Sequence, residues 1–311
     1  MWNRRRLWGV AIAATLLLPG LVLVASRPHK EAFEKAPLAP GQIEVVRLSE
    51  RAHLSVERIR FWSNEMNEPR FFLALVPKTV PKTKVAPSEV FILNHGWRDR
   101  PEDLLVHLKV DQVYDEMLGR GEVRPAIVVL PDVRFDSFYR EFSDRFPYPN
   151  YLTLVAEEVA GTVSRHYGIP FERQRWAIGG FSFGGYLSLD VGRRYAGRFG
   201  SVSVISGLVD KEWTFWPAQP PQPGPLDSKG RGKHTIVEPG PVPRLFLACG
   251  SDDRLFSMMR DLHEKLTELG IPHEWSTGPG AHTWKYWSSV LPLMLRFHLA
   301  SEPSRVEGKG F

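Results

Sequence analysis

The chain has 311 residues, 43% of them hydrophobic and 24% charged, which is an ordinary globular composition with ample material for a core. Arg4, Arg5 and Arg6 supply three of the five net positive charges and residues 1–26 hold no acid, so the rest of the chain carries only +2, has no basic run, and is a poor candidate for nucleic-acid binding. Cys249 is the only cysteine, which excludes an intrachain disulfide and a cysteine-built zinc cluster.

Residues 1–26, "MWNRRRLWGVAIAATLLLPGLVLVAS", set the three arginines before an uncharged apolar run from Leu7 to Ala25 and end in small residues. This reads as a secretory signal peptide, cleaved after Ala25 or Ser26, or as an N-terminal membrane anchor, since residues 7–25 nearly suffice to span a bilayer. Pro19 and Gly20 interrupt a continuous helix and favour the signal. Either way the arginines stay cytoplasmic and the remainder is exported, to the periplasm or beyond the cell, with a membrane tether under the anchor reading. Residues 27–42 are rich in proline, alanine and charge and read as a tether.

The domain proper is expected over residues 43–300, followed by a flexible tail at 301–311. "IEVVRL", "HLSVERIRFW" and "RFFLALVP" are β-rich runs with no helix between them, which predicts an antiparallel start. After Pro87 the pattern changes. "EVFILNHG" precedes a helical pattern from Pro101 to Leu118, and "AIVVLPD" precedes the helical "NYLTLVAEEVAGTVSRHYG", closed by Gly168. "QRWAIGG" leads into a helix over 182–195, "GSVSVISG" is a further strand, and "PRLFLACGSDD" leads into a helix over 254–269. "HEWSTGPG" is the last strand and 284–299 the last helix. Near-continuous apolar strands alternating with helices predict a mostly parallel sheet covered on both faces. The proline- and glycine-rich stretch 211–244 fits no regular element and reads as a surface insertion, or as a lid carrying Trp213, Phe215 and Trp216.

In such folds functional groups gather just beyond the carboxyl ends of the parallel strands. There the chain places His95-Gly96-Trp97, then Ser182, then Asp252 and Asp253, then His282. Ser182 is the centre of Gly180-Phe181-Ser182-Phe183-Gly184, a G-x-S-x-G between strand and helix. That turn exposes a serine hydroxyl above the sheet and sets a helix N-terminus beneath developing negative charge. A serine needs a base, and His282, presented by the loop "GPGAHTWKYW", follows the last strand. His95 is the rival imidazole, better suited to structure within its turn. The acid that orients the base is Asp252 or Asp253, one expected to face the histidine and the other to cap the helix near Leu255, with Asp210 a distant third. The backbone amides of Phe183 and Trp97 are the natural oxyanion donors. Cys249, in "RLFLACG", reads as a buried structural thiol.

"LNHGW", "VVLPD", "GGFSFGGYLSL", "LACGSDDRL" with "LHEKLTELGIPHEW", and "PGAHTWKYW", in this order from about Val85 to Leu299, resemble the Putative esterase family of α/β-hydrolases. That family includes S-formylglutathione hydrolases (esterase D), enterochelin esterases, feruloyl esterases and mycolyltransferases. The resemblance implies the α/β-hydrolase fold, a Ser182–Asp253–His282 triad with the acid on the second aspartate, oxyanion amides at Trp97 and Phe183, and no cofactor or metal. Where the family usually has Gly-Gly-His-Asp, this chain has Gly280-Ala281-His282-Thr283.

The expectation is an exported serine esterase acting on a small-molecule carboxylic ester or thioester through an acyl-enzyme. Acyl transfer to an alcohol would use the same residues. A non-catalytic cell-envelope binding protein on a hydrolase scaffold is disfavoured, because no member of the set is missing. Aromatic residues in "RFDSFYREFSDRF", with Trp284 and Trp287, are candidates to line an acyl or aryl pocket and equally candidates for core packing.

Overall fold

Three strands in succession open the domain in the computed structural model, which describes residues 38–78, 87–134, 148–209 and 240–301. Strands β1 (Ile43–Glu50), β2 (Leu54–Ser63) and β3 (Glu68–Pro77) pair antiparallel in chain order. From β4 (Glu89–Asn94) onward strands alternate with helices. Helices α1 (Pro101–Val106) and α2 (Val110–Gly119) precede β5 (Ala126–Pro131). Helix α3 (Tyr148–Thr153) runs through a π-helical segment (Leu154–Val159) into α4 (Ala160–Tyr167), which Gly168 closes in the left-handed conformation at φ 69°. Then come β6 (Trp176–Phe181), α5 (Phe183–Arg194), β7 (Ser201–Ile205), β8 (Arg244–Gly250), α6 (Phe256–Glu268), β9 (His273–Gly278) and α7 (Trp284–Leu299).

All nine described strands form one sheet in the order β1-β2-β3-β5-β4-β6-β7-β8-β9. Pairing is antiparallel as far as β3–β5 and parallel from β5 through β9. The strands β5, β6 and β7 are buried at every position, which is why their sequences are apolar runs and not alternating ones. Two apolar layers cover the faces. One joins the sheet to α3, α4, α5 and α6 through Leu152, Val163, Leu187 and Met259; the other joins it to α1, α2 and α7 through Leu104, Tyr114, Leu291 and Leu295.

The helical pattern over 101–118 is two helices and not one. Lys109 takes a left-handed φ of 51° between them. The buried positions explain the break. Leu104 and Leu108 share one helical phase, whereas on a continuous helix of 100° per residue Val110, Tyr114 and Met117 would point about 100–160° away from them and Leu118 about 60°. A break at 107–109 lets both sets face the sheet.

Among the described residues no helix is long and apolar enough to cross a membrane. The signal or anchor and most of the tether lie outside the described residues. So do Asp210, nearly all of the 211–244 insertion with Trp213, Phe215 and Trp216, the aromatic residues after Arg134, and the tail from 302.

Candidate active site

The carboxyl ends of β4, β6, β7, β8 and β9 are neighbours in the sheet, so the loops that leave them meet at one edge. Ser182 follows β6 directly and has φ 54° and ψ −119°, a conformation that costs a non-glycine residue about 1–3 kcal/mol. The turn is held from both sides. Its amide donates to the carbonyl of Ile205 at 2.8 Å, and its carbonyl accepts from the amides of Gly185 and Tyr186. A Cβ on Gly180 would collide with the backbone of Gly184, and one on Gly184 would collide with the carbonyls of Asn94 and His95. The flanking glycines are therefore required by close approach of the turn to the end of β4.

Above this turn a continuous chain of hydrogen bonds forms. The Ser182 hydroxyl lies 2.9 Å from Nε2 of His282, and Nδ1 of His282 lies 2.9 and 3.0 Å from the two carboxylate oxygens of Asp253. Since the carboxylate accepts, Nδ1 carries the proton and Nε2 is free to accept from the serine. Ser182 and Asp253 are buried and His282 is half-buried. The acid and histidine loops are tied together by the amides of Ser251 and Asp252, which donate to the carbonyls of Gly278 and Gly280, each at 2.9 Å.

Asp253 performs both tasks expected of two neighbours. Its Oδ1 faces His282 and also accepts from the amide of Leu255 at 2.8 Å, just ahead of α6, while Asp252 is exposed. Burial pushes the Asp253 carboxyl up, but hydrogen bonds from His282, the Leu255 amide and Ser206 outweigh it and hold the group below the usual carboxylate range.

His95 is committed elsewhere. Its Nδ1–H donates to the carbonyl of Gly96 at 2.8 Å and its Nε2 accepts from the amide of Val133 at 3.2 Å, linking the ends of β4 and β5. Burial keeps this imidazole below its usual range despite the nearby Asp132. The His95-Gly96-Trp97 turn nevertheless abuts the serine, for a Cβ on Gly96 would sit 3.5 Å from that of Ser182. The rings of Trp97 and Phe183 meet edge to face at 5.6 Å.

Ser182, His282, Trp97 and Phe183 share a cavity of about 510 Å³ with Arg98, Asp99, Leu208, Arg254, Leu255, Trp284 and Trp287. Trp287 is both core and pocket wall. It is buried, and its ring stands edge-on to His282 at 5.0 Å. Asp99 is a pocket carboxyl raised to about 6 by burial and by Asp103, against the opposing pull of the Gly96 amide, His107 and His282. Cys249 is buried, its thiol pushed up to about 12 by burial and by the charge of Asp253.

Sequence reasoning missed Ser206. It lies just past β7, fully buried at φ 49°, accepts from the indole Nε1–H of Trp287 at 3.1 Å, and bonds the Asp253 carboxylate. Its position beyond an apolar strand on the same sheet edge was the available signal. Among the described residues no group of three or more His, Cys, Asp or Glu side chains converges as a metal site would require.

Known proteins resemble this chain in sequence and in fold. The Putative esterase family model matches residues 63–298. An acetyl esterase of Caldicellulosiruptor saccharolyticus is 24% identical over 264 residues, 76% of this chain and 96% of its own. An endo-1,4-beta-xylanase/feruloyl esterase of Xylanibacter ruminicola is 22% identical over 246 residues, covering 78% of this chain but only 31% of that longer protein. The ferulic acid esterase of Anaeromyces mucronatus, solved in complex with ferulic acid, superposes with a TM-score of 0.60 at 20% identity over 81% of this chain and 93% of its own, which shows a common fold. The chain thus belongs to the Putative esterase family, as an ester-hydrolysing serine hydrolase of the α/β-hydrolase fold.

Proposed function

We propose that the protein cleaves a carboxylic ester or thioester through an acyl-enzyme formed on Ser182. The observation that carries this reading is the unbroken run of hydrogen bonds from Ser182 through His282 to Asp253, opening onto the cavity. Ser182 Oγ attacks the substrate carbonyl carbon while its proton passes to Nε2 of His282. Asp253 holds the imidazole in the correct tautomer and balances the imidazolium that forms. The amides of Phe183 and Trp97 stabilise the oxyanion, assisted by the N-terminus of α5. Collapse of the tetrahedral intermediate expels the alcohol or thiol, which takes the proton from His282. Water, activated in turn by His282, then releases the acid.

The test is covalent. A fluorophosphonate probe is expected to label the wild type on Ser182 and to leave Ser182→Ala unlabelled, with p-nitrophenyl acetate hydrolysis following the same pattern. A folded wild type that neither labels nor hydrolyses would overturn the reading.

A further inference from the structure

The wall of the cavity carries a cation with no committed partner among the described residues. Arg254 follows Asp252 and Asp253 in sequence, yet among the described residues it forms no ion pair or hydrogen bond with either of them or with any other group. Exposed arginines elsewhere on the molecule are paired, as Arg47 is with Glu50, Arg120 with Glu122 and Arg260 with Asp261. The carboxylates nearest to Arg254 in sequence are engaged or turned away: Asp253 bonds His282 and the Leu255 amide, and Asp252 is exposed. A guanidinium held at a pocket wall without a counter-ion is a ready donor to an incoming anion.

Its surroundings favour the same sign. Arg98 brings a second guanidinium to the cavity. The opposing charge is Asp99, which is half-buried and turned to the amide of Gly96, with Asp103, His107 and His282 around it. Burial and Asp103 raise its carboxyl to about 6, so at neutral pH it is ionised and stands, among the described residues, as the one carboxylate on this wall facing two guanidiniums. Apart from Ser182, His282 and Thr283, the rest of the wall is apolar and aromatic: Trp97, Phe183, Trp284, Trp287, Leu208 and Leu255.

We infer that the preferred substrate is an ester carrying an anionic group, a carboxylate or a phosphate, on an apolar or aromatic body, with Arg254 as the residue that recognises the charge. This inference rests on the esterase reading and narrows it. The anion could belong to the acyl part or to the alcohol part, and the experiment separates the two.

Two matched pairs of esters make the test. Mono-4-nitrophenyl adipate against 4-nitrophenyl hexanoate places the charge on the acyl side. 3-Acetoxybenzoate against methyl 3-acetoxybenzoate places it on the leaving group. The readout is the ratio of kcat/KM for the charged and neutral members within each protein, corrected for spontaneous hydrolysis. The wild type is expected to favour the charged member of one pair by roughly 5- to 10-fold, a size suited to one charge-assisted contact in a partly exposed site. That ratio falls towards one in Arg254→Gln, is largely kept in Arg254→Lys, and shrinks as salt is raised. If the neutral esters are hydrolysed but neither pair shows an Arg254-dependent preference, this inference fails and the esterase reading stands. If no ester is hydrolysed and the fluorophosphonate does not label, the esterase reading fails and takes the inference with it.

Discussion

The indole N–H of Trp287 donates to the hydroxyl of Ser206 across 3.1 Å, and the same hydroxyl bonds the carboxylate of Asp253. Two residues 81 positions apart thus support the acid from behind while the Trp287 ring stands against His282 in front. Ser206 acts here as a positioning residue. Ser206→Ala removes one donor to a buried carboxylate and leaves a buried indole N–H without its acceptor. The expected result is a drop in kcat of about tenfold or more, from about 1.5–3 kcal/mol for a hydrogen bond to a charged group, with KM little changed. Equal losses in kcat and in Tm-corrected folded fraction would instead indicate a purely structural role.

Asp252 and Asp253 should differ sharply. Asp253→Asn retains an acceptor for the Leu255 amide, so α6 keeps its start, but the neutral amide no longer fixes the Nδ1–H tautomer of His282 or balances its charge. A loss of about 10³- to 10⁴-fold in kcat is expected, with Tm near that of the wild type. Asp252→Asn, at an exposed position, should leave kcat within about twofold, since surface changes away from such features are usually small. Steady-state kinetics on p-nitrophenyl acetate compare the two directly.

These residues also show what a sequence can and cannot disclose. The parallel half of the fold was legible because buried strands are apolar runs, and because His95-Gly96-Trp97, Ser182, Asp253 and His282 each come just after one. The antiparallel opening was legible from three β-rich runs without a helix between them. The break at Lys109 was not, since it involves neither proline nor glycine and the apolar pattern runs on across it. The double duty of Asp253 was hidden too. Whether one carboxylate can reach both an imidazole and a helix amide depends on how the loops after β8 and β9 are tied together. Ser206 ends an unremarkable "SVSVIS" run, and its partners come from β8's loop and from α7, distant in sequence.

Gly180 and Gly184 offer a steric prediction. Gly184→Ala would force a methyl group into the carbonyls of Asn94 and His95, and Gly180→Ala would force one into the backbone of Gly184. Backbone cannot give way as a flexible side chain can. Each variant is expected to cost at least about 1–3 kcal/mol, as overpacking does, and to lose fluorophosphonate labelling even where it folds. Gly278→Ala is the control, because a Cβ there meets nothing within 4 Å. Its Tm and labelling should match the wild type, and thermal melts with gel-based labelling read both quantities.

Asp99 yields a dependence on pH whose sign follows from its raised carboxyl. In the unfolded chain this group ionises near the ordinary aspartate value of 3.8, whereas in the folded protein it ionises at about 6, chiefly because burial and Asp103 disfavour the charge. Below both values it is protonated in either state and its effect on stability is nil. As pH rises from about 4 through 6 the unfolded state loses the proton first, so stability falls, and above 6 the penalty stays constant. Asp99→Asn removes the titration while preserving shape. It should therefore melt with the wild type at pH 4 and above it at pH 7.5, by a margin reduced by the partial solvent access of the site. A Tm difference that is flat across this range would show that the Asp99 carboxyl is not raised.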